Sequence, residues 1–180
     1  IHSGGQDLIF PHHENEIAQS ECANLKPFAR YWLHNGYLNI DNRKMSKSAG
    51  NFFTVRDILK EFDAEVIRFF MLSVHYRSPV NFSKKLMKQA ETALERLYNC
   101  KYNLEFLKKT AVSGQIKGKI GEMLETKKKA FFNVMDDDLN TAGAISVLFD
   151  IAREVNGGVS QNDTAETLSA VLKVLTELGS

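Results

Sequence analysis

The chain has 180 residues, 43% of them hydrophobic and 25% charged, with a formal net charge of +1. Those proportions exclude a collagen-like, low-complexity or wholly disordered chain, and the length is one to two domains' worth, enough to bury a core. Its two cysteines, Cys22 and Cys100, are too few for a disulfide scaffold and fit a reducing cytosol, so a cytoplasmic location is expected.

In chain order, Gly4-Gly5-Gln6-Asp7 reads as a turn after a strand that has mostly been cut away, and Ile1-His2-Ser3 before it reads as mid-domain sequence, so an excised fragment is expected. The first residues do not read as a basic, apolar, small-residue leader, so none is expected. Pro11 suits a first helical position, where its missing N–H costs nothing, and predicts a helix over His12 to Ala23. Tyr31 to Ile40 alternates and carries aromatics, which predicts one or two strands around an Asn35-Gly36 turn. Asp41 to Phe53 is a polar loop with Gly50 in it. Thr54-Val55-Arg56-Asp57 resembles a capping box and predicts a short helix to Phe62. Asp63 can cap the next helix, with Val66, Ile67, Phe70, Met71 and Val74 on its apolar face. The run Val66 to Val74 is the most apolar in the chain, but it is short and contains Arg68, so no membrane span is expected.

Arg77 to Phe82, with Pro79 and Asn81, reads as a connector. Ser83 then caps a long helix whose Leu86, Ala90, Leu94, Leu97, Leu104 and Leu107 recur at helical spacing. Val112 to Gly121 is a glycine-rich loop, with helix resuming before its end as the alternative reading. A second helix carries Ile120, Met123, Leu124 and Phe131. A third is capped by Asn140 or Thr141, with Ile145, Leu148, Ala152 and Val155 inward, and ends at Asn156-Gly157-Gly158. A fourth starts from Asp163 with Glu166 as its partner and turns Leu168, Val171, Leu172 and Leu175 inward. Four amphipathic helices with short joins predict an antiparallel bundle. Residues 84–129 hold 12 Lys/Arg against 5 Asp/Glu, whereas residues 130–180 hold 2 against 8. That basic segment offers a face to a polyanion, or forms a merely solvated lysine-rich helix pair.

Two strings carry chemistry. Lys44-Met45-Ser46-Lys47-Ser48, before Ala49-Gly50-Asn51, places two lysines and two hydroxyls around a loop able to surround a polyphosphate. The chemistry it suits is positional and electrostatic, as in phosphoryl and nucleotidyl transfer. In Gly5-Gln6-Asp7-Leu8-Ile9-Phe10-Pro11-His12-His13-Glu14-Asn15-Glu16, a glycine turn and an acid after a strand match the place where open α/β folds hold a nucleotide ribose. His12 and Glu16 are four apart on one helix face, a spacing that lets both ligate one metal or form a surface ion pair. Cys22 and Cys100 read as packing residues, so a four-ligand zinc site would need ligands from elsewhere.

The pentapeptide Lys44–Ser48 is the signature of class I aminoacyl-tRNA synthetases, and the chain as a whole resembles the bacterial-type cysteinyl-tRNA synthetases. The resemblance rests on Phe10 to Ser20, Trp32-Leu33-His34-Asn35-Gly36, Lys44 to Ser48, Gly50 to Asp57, His75-Tyr76-Arg77-Ser78 and Met135 to Thr141. It runs to about Gly158 and is densest from Gly4 to Ser78. It implies a mostly α chain: the remnant of a Rossmann-like α/β catalytic domain (residues 1–60), a connecting stem-contact segment (61–82) and an antiparallel, tRNA-binding helical bundle (83–180).

The resemblance further implies that His12 and Glu16 are two ligands of a Zn²⁺ that binds the substrate thiolate. Lys47, assisted by Lys44, would be the catalytic lysine at the ATP phosphates, with Ser46 beside them. Gly5 and Asp7 would contact the ribose, and His34 and Gly36 the adenine side. The implied partners are ATP with Mg²⁺, L-cysteine and tRNA(Cys), acting on a monomer. The family's His-x-Gly-His string and its two zinc cysteines are not among these 180 residues, so the isolated chain is expected to be inactive and to bind zinc weakly. Two rival readings remain: the related ligase that joins cysteine to an amino sugar in mycothiol synthesis, and a noncatalytic RNA-binding helical module.

Overall fold

The computed structural model describes residues 1–41, 43–44 and 54–179, the side chains of Arg43 and Lys44 excepted. Within them lie five short strands and seven α-helices. The chain is therefore mostly α, as the sequence implies. Strand β1 (His2–Gly5) pairs in parallel with β2 (Trp32–Asn35), Gly4 opposite His34 and Gly5 opposite Asn35. Helix α1 (Glu14–Asn24) connects them. The helix does not begin at Pro11. A wide turn over Ile9–His13, with Phe10 extended (φ −137°, ψ 132°), precedes it, and His13 is its first cap residue.

Strands β2 and β3 (Leu38–Ile40) do not form a hairpin. β3 pairs antiparallel with β4 (Arg43–Lys44) and parallel with β5 (Val80–Phe82), in a separate three-stranded sheet. The segment expected to be a connector is thus partly strand. Its three ladder residues belong to a sheet only because Leu38, Asn39 and Ile40 lie beside them. The capping box is present: Thr54 Oγ1 accepts from Asp57 N, and Asp57 Oδ2 accepts from Thr54 N, at the start of α2 (Val55–Ile58). Asp63 caps α3 (Ala64–Leu72) by accepting from Glu65 N. Met71, expected inward, is exposed.

Ser83 caps α4 (Lys84–Lys108), which spans roughly 37 Å. This helix joins two apolar cores. Its first half packs Met87 and Ala90 with Phe62, Val66, Phe70 and Val80. Its second half packs Cys100, Leu104 and Leu107 with α5 (Gly118–Asp136), α6 (Thr141–Gly158) and α7 (Ala165–Gly179) through Leu124, Ile151, Leu168 and Val171. Asn140 caps α6 by accepting from Gly143 N. The cap of α7 is Thr164, whose Oγ1 accepts from Thr167 N, and not Asp163. Asp163 is 1% exposed and is drawn instead to Lys117 and Ser160 N.

The bundle absorbs part of the charge asymmetry internally. Lys127 pairs with Asp150 and Glu154, and Lys128 with Glu177. On α4, Lys84 pairs with Glu61 and Lys88 with Glu91. Lys101 sits one turn from Leu97 and from Leu104, on the apolar side, and is half-buried. On α4 and at its end, Lys85, Arg96, Lys108 and Lys109 are exposed and outside these ion pairs. No described helix is long and apolar enough to cross a membrane.

Candidate active site

β1 and β2 run in parallel, so their carboxyl ends coincide, and the residues that follow them share one end of the sheet. Open α/β sheets bind ligands at that end. Asp7 lies there, in a 3₁₀ turn directly after Gly5, with its carboxylate exposed over the Gly5 backbone. Gly36 follows β2 on the same side. Its N–H donates to Tyr76 O at 2.8 Å, and a Cβ built on it would lie 2.5 Å from the Ser78 carbonyl group. Gly36 is therefore required for a close approach of two backbones. Gly36→Ala is expected to push β2 from the 75–78 segment and to cost about 2 kcal/mol of stability, as forced overpacking does. Denaturant unfolding checks this, and a variant as stable as wild type would mean that the segment yields freely.

Behind this edge is a cluster of rings. His2 lies against His13, Phe28 and Trp32, and His13 against Trp32 and His34, with centroids 4.9–5.2 Å apart. His2 Nε2 donates to Glu16 Oε2 at 2.8 Å, and His13 Nδ1 shares a proton with His34 Nε2 at 2.8 Å. His13 is 3% exposed. Burial, then the neighbouring His2 and His34, push its pKa below the ordinary histidine value, so it is neutral at physiological pH and keeps a lone pair.

The other carboxylate oxygen of Glu16, Oε1, is 3.7 Å from His12 Nε2, and the His12 side chain is 60% exposed. The spacing thus places His12 and Glu16 together, as helical geometry demands, with His12 pointing outward. Ligand atoms of His2, His13 and Glu16 all lie within 4.8 Å of one another. An imidazole and a carboxylate are donor types that zinc accepts, and His12 Nε2 lies 3.7 Å from Glu16 Oε1, so this pair fits two of that ion's ligand positions. Sequence reasoning missed His2 and His13. The available signal was the alternation of His2, Trp32 and His34 on strands, but only the parallel pairing puts these rings beside Glu16.

Lys44 lies in β4, at the edge of the second sheet. Ser46 and Lys47, the remainder of the expected phosphate loop, lie outside the described residues. Gly5, Asp7 and Gly36 are brought to the carboxyl ends of β1 and β2, His34 lies behind them against His13, and His12 and Glu16 share the adjoining helix face.

A parallel strand pair with candidate ligand residues at its carboxyl ends is joined here, through one long helix, to a helical bundle. Residues 1–92 match the family model of the class I (C) tRNA synthetase catalytic domain, and residues 130–180 match the DALR domain; the chain belongs to the class I tRNA synthetase family. It is 53% identical over 99% of its length to the cysteine–tRNA ligase of Clostridioides difficile (strain 630), 55% identical over 99% to that of Caldicellulosiruptor saccharolyticus, and 53% identical over 99% to that of Bacillus licheniformis. The chain spans only 38–39% of the length of these curated relatives. Among solved structures it resembles LeuRS of Agrobacterium radiobacter K84, in a ternary complex with tRNA and LeuAMS. That match has a TM-score of 0.78 and 18% identity, covering 98% of this chain and 25% of that one, a likeness of fold alone.

Proposed function

We propose that this chain is the later catalytic part and helical bundle of a cytoplasmic, monomeric cysteine–tRNA ligase, which activates cysteine with ATP and transfers it to tRNA(Cys). The observation that carries the reading is the His12–Glu16 pair set on the helix that follows the first of two parallel strands, in a chain whose relatives are named for that activity. His12 and Glu16 would hold a zinc ion, with His2 Nε2 donating to Glu16 Oε2 and so orienting that carboxylate. Such an ion distinguishes a thiolate from a serine hydroxyl, a one-atom difference that an apolar pocket rejects poorly.

This chain's own groups supply position and charge. The exposed Asp7 carboxylate can accept from both ribose hydroxyls, while Gly5 lets the backbone come close to them. His34 and Gly36 border the base. Lys44, Ser46 and Lys47 would meet the phosphates of MgATP and stabilise charge that develops as the cysteine carboxylate attacks the α-phosphate and pyrophosphate leaves. The terminal ribose hydroxyl of tRNA then attacks the cysteinyl carbonyl of the adenylate, forming the ester as the bond to phosphate breaks and AMP leaves. Exposed Lys85, Arg96, Lys108 and Lys109 would contact tRNA through phosphates, giving salt-dependent support with little base reading.

The test is made with the full-length protein. Cysteine should drive ATP–pyrophosphate exchange, serine should not, and cysteine should then be transferred to tRNA. Exchange with no preference for cysteine, or transfer to an amino sugar in place of tRNA, would overturn the reading.

A further inference from the structure

His75-Tyr76-Arg77-Ser78 emerges from α3 and reaches two parts of the molecule at once. Its backbone faces the strand ends: Tyr76 O accepts from Gly36 N at 2.8 Å, and Arg77 O accepts from Gln6 Nε2 at 3.0 Å. Its side chains face the bundle. Tyr76 Oη donates to Asp138 Oδ1 at 2.7 Å, Arg77 Nη2 donates to the same oxygen at 3.0 Å, and Arg77 Nε donates to Asp138 Oδ2. His75 Nε2 lies 3.9 Å from Oδ2. The guanidinium also sits over the Tyr76 ring, 5.2 Å from its centroid.

Asp138 is in the joint between α5 and α6, where Asp138 and Leu139 both adopt a left-handed backbone (φ 55°) just before the Asn140 cap. The corner of the bundle is therefore held by one carboxylate, gripped on both oxygens by a forked guanidinium and a phenol. Such two-point contacts fix orientation as well as distance. Arg77 and then Tyr76 hold the Asp138 carboxyl down at about 2, so the grip is ionised at any physiological pH. Its side chains are 41–50% exposed, and exposed pairs contribute little to stability, which leaves geometry as the consequence of building it.

We infer that Asp138, acting through Arg77 and Tyr76, is a positioning residue that sets the helical bundle relative to the nucleotide-side loops at Gln6 and Gly36. The inference rests on the function proposed above. Activation of cysteine needs only the loops, whereas transfer needs the tRNA end, carried by the bundle, to meet the adenylate. Loosening the grip misplaces one against the other without touching either, and small misplacements are costly for a reaction between two bound partners.

Asp138→Asn in the full-length protein is the discriminating variant, because asparagine tolerates the left-handed backbone while losing the charge. Cysteine-dependent ATP–pyrophosphate exchange should stay within about twofold of wild type, and the kcat of tRNA charging should fall roughly tenfold, within the range of typical coupling between sites. Arg77→Lys should behave like Asp138→Asn, since lysine lacks the fork, and the double variant should lose little more than either single one. The melting temperature should stay close to that of wild type. Normal charging by Asp138→Asn, or equal losses in exchange and charging, would overturn the inference alone. A wild-type protein with no cysteine-dependent exchange would instead overturn the proposed function, and the inference with it.

Discussion

Lys47→Ala in the full-length protein slows cysteine-dependent ATP–pyrophosphate exchange by roughly a hundred- to a thousandfold while leaving cysteine affinity nearly unchanged. Lysine carries a compact charge with three donors, and the string Lys44–Ser48 would set it against phosphates whose charge is redistributed as the adenylate forms. An interaction of this kind is stronger in the transition state than in the ground state, so its loss falls on the rate. One preorganised contact to developing charge is worth about 3–4 kcal/mol, which is the origin of the expected factor. Lys44→Ala, removing the assisting charge, should show a smaller loss of the same kind. Measurement of exchange at saturating cysteine checks both. A Lys47 variant within about twofold of wild type would remove this residue from the mechanism.

Lys117→Met destabilises the bundle by about 3 kcal/mol near neutral pH, and the loss shrinks as the solution is acidified. Asp163 is 1% exposed and holds the start of the last helix to the loop before α5: Ser160 N donates to Oδ2 at 2.8 Å, and the Lys117 ammonium meets Oδ1. The same corner is closed by Gly114 N donating to Glu166 at 2.7 Å and Lys117 N donating to Thr167 Oγ1 at 3.1 Å. Burial pushes the Asp163 carboxyl up, but the Lys117 ammonium and Ser160 N–H more than reverse this and hold it below the usual carboxylate value of 3.8. In the wild type, this group therefore contributes stability that is present above about pH 4 and lost as pH falls through its lowered folded pKa.

In the variant the carboxylate is buried without its cation, so burial dominates and the sign reverses: protonation relieves the cost. Removing one partner of a buried pair costs about 3–5 kcal/mol, and the lower end applies because the Lys117 side chain is half exposed. Urea unfolding at neutral and acid pH measures the gap. A gap of the same size at both would show that the pair's charge is not what the lysine contributes.

Local chemistry was legible in the order of residues. Thr54 with Asp57, Asp63, Ser83 and Asn140 each cap the helix expected of them, because a cap is satisfied by a backbone N–H two or three residues away. The leucine spacing of α4 likewise announced the bundle, although it could not show that Met87 and Ala90 belong to one core and Leu104 and Leu107 to another. Asp163 departs from the expected cap for a related reason. Its position is right for one, but a lysine some fifty residues away competes for the same oxygen and leaves the task to Thr164.

At the candidate site, the sequence by itself determined the family-like strings, the His12–Glu16 spacing and the placing of Asp7 after a strand, since all of these are properties of short segments. Only the tertiary structure decided that Val80–Phe82 is a strand, that Glu16 is held by His2 while His12 points outward, that buried His13 meets His34, and that Arg77 and Tyr76 close on Asp138. Each of these depends on pairing between segments distant along the chain. No local propensity encodes such pairing; it follows from which apolar faces can be buried together and which polar groups must then find partners.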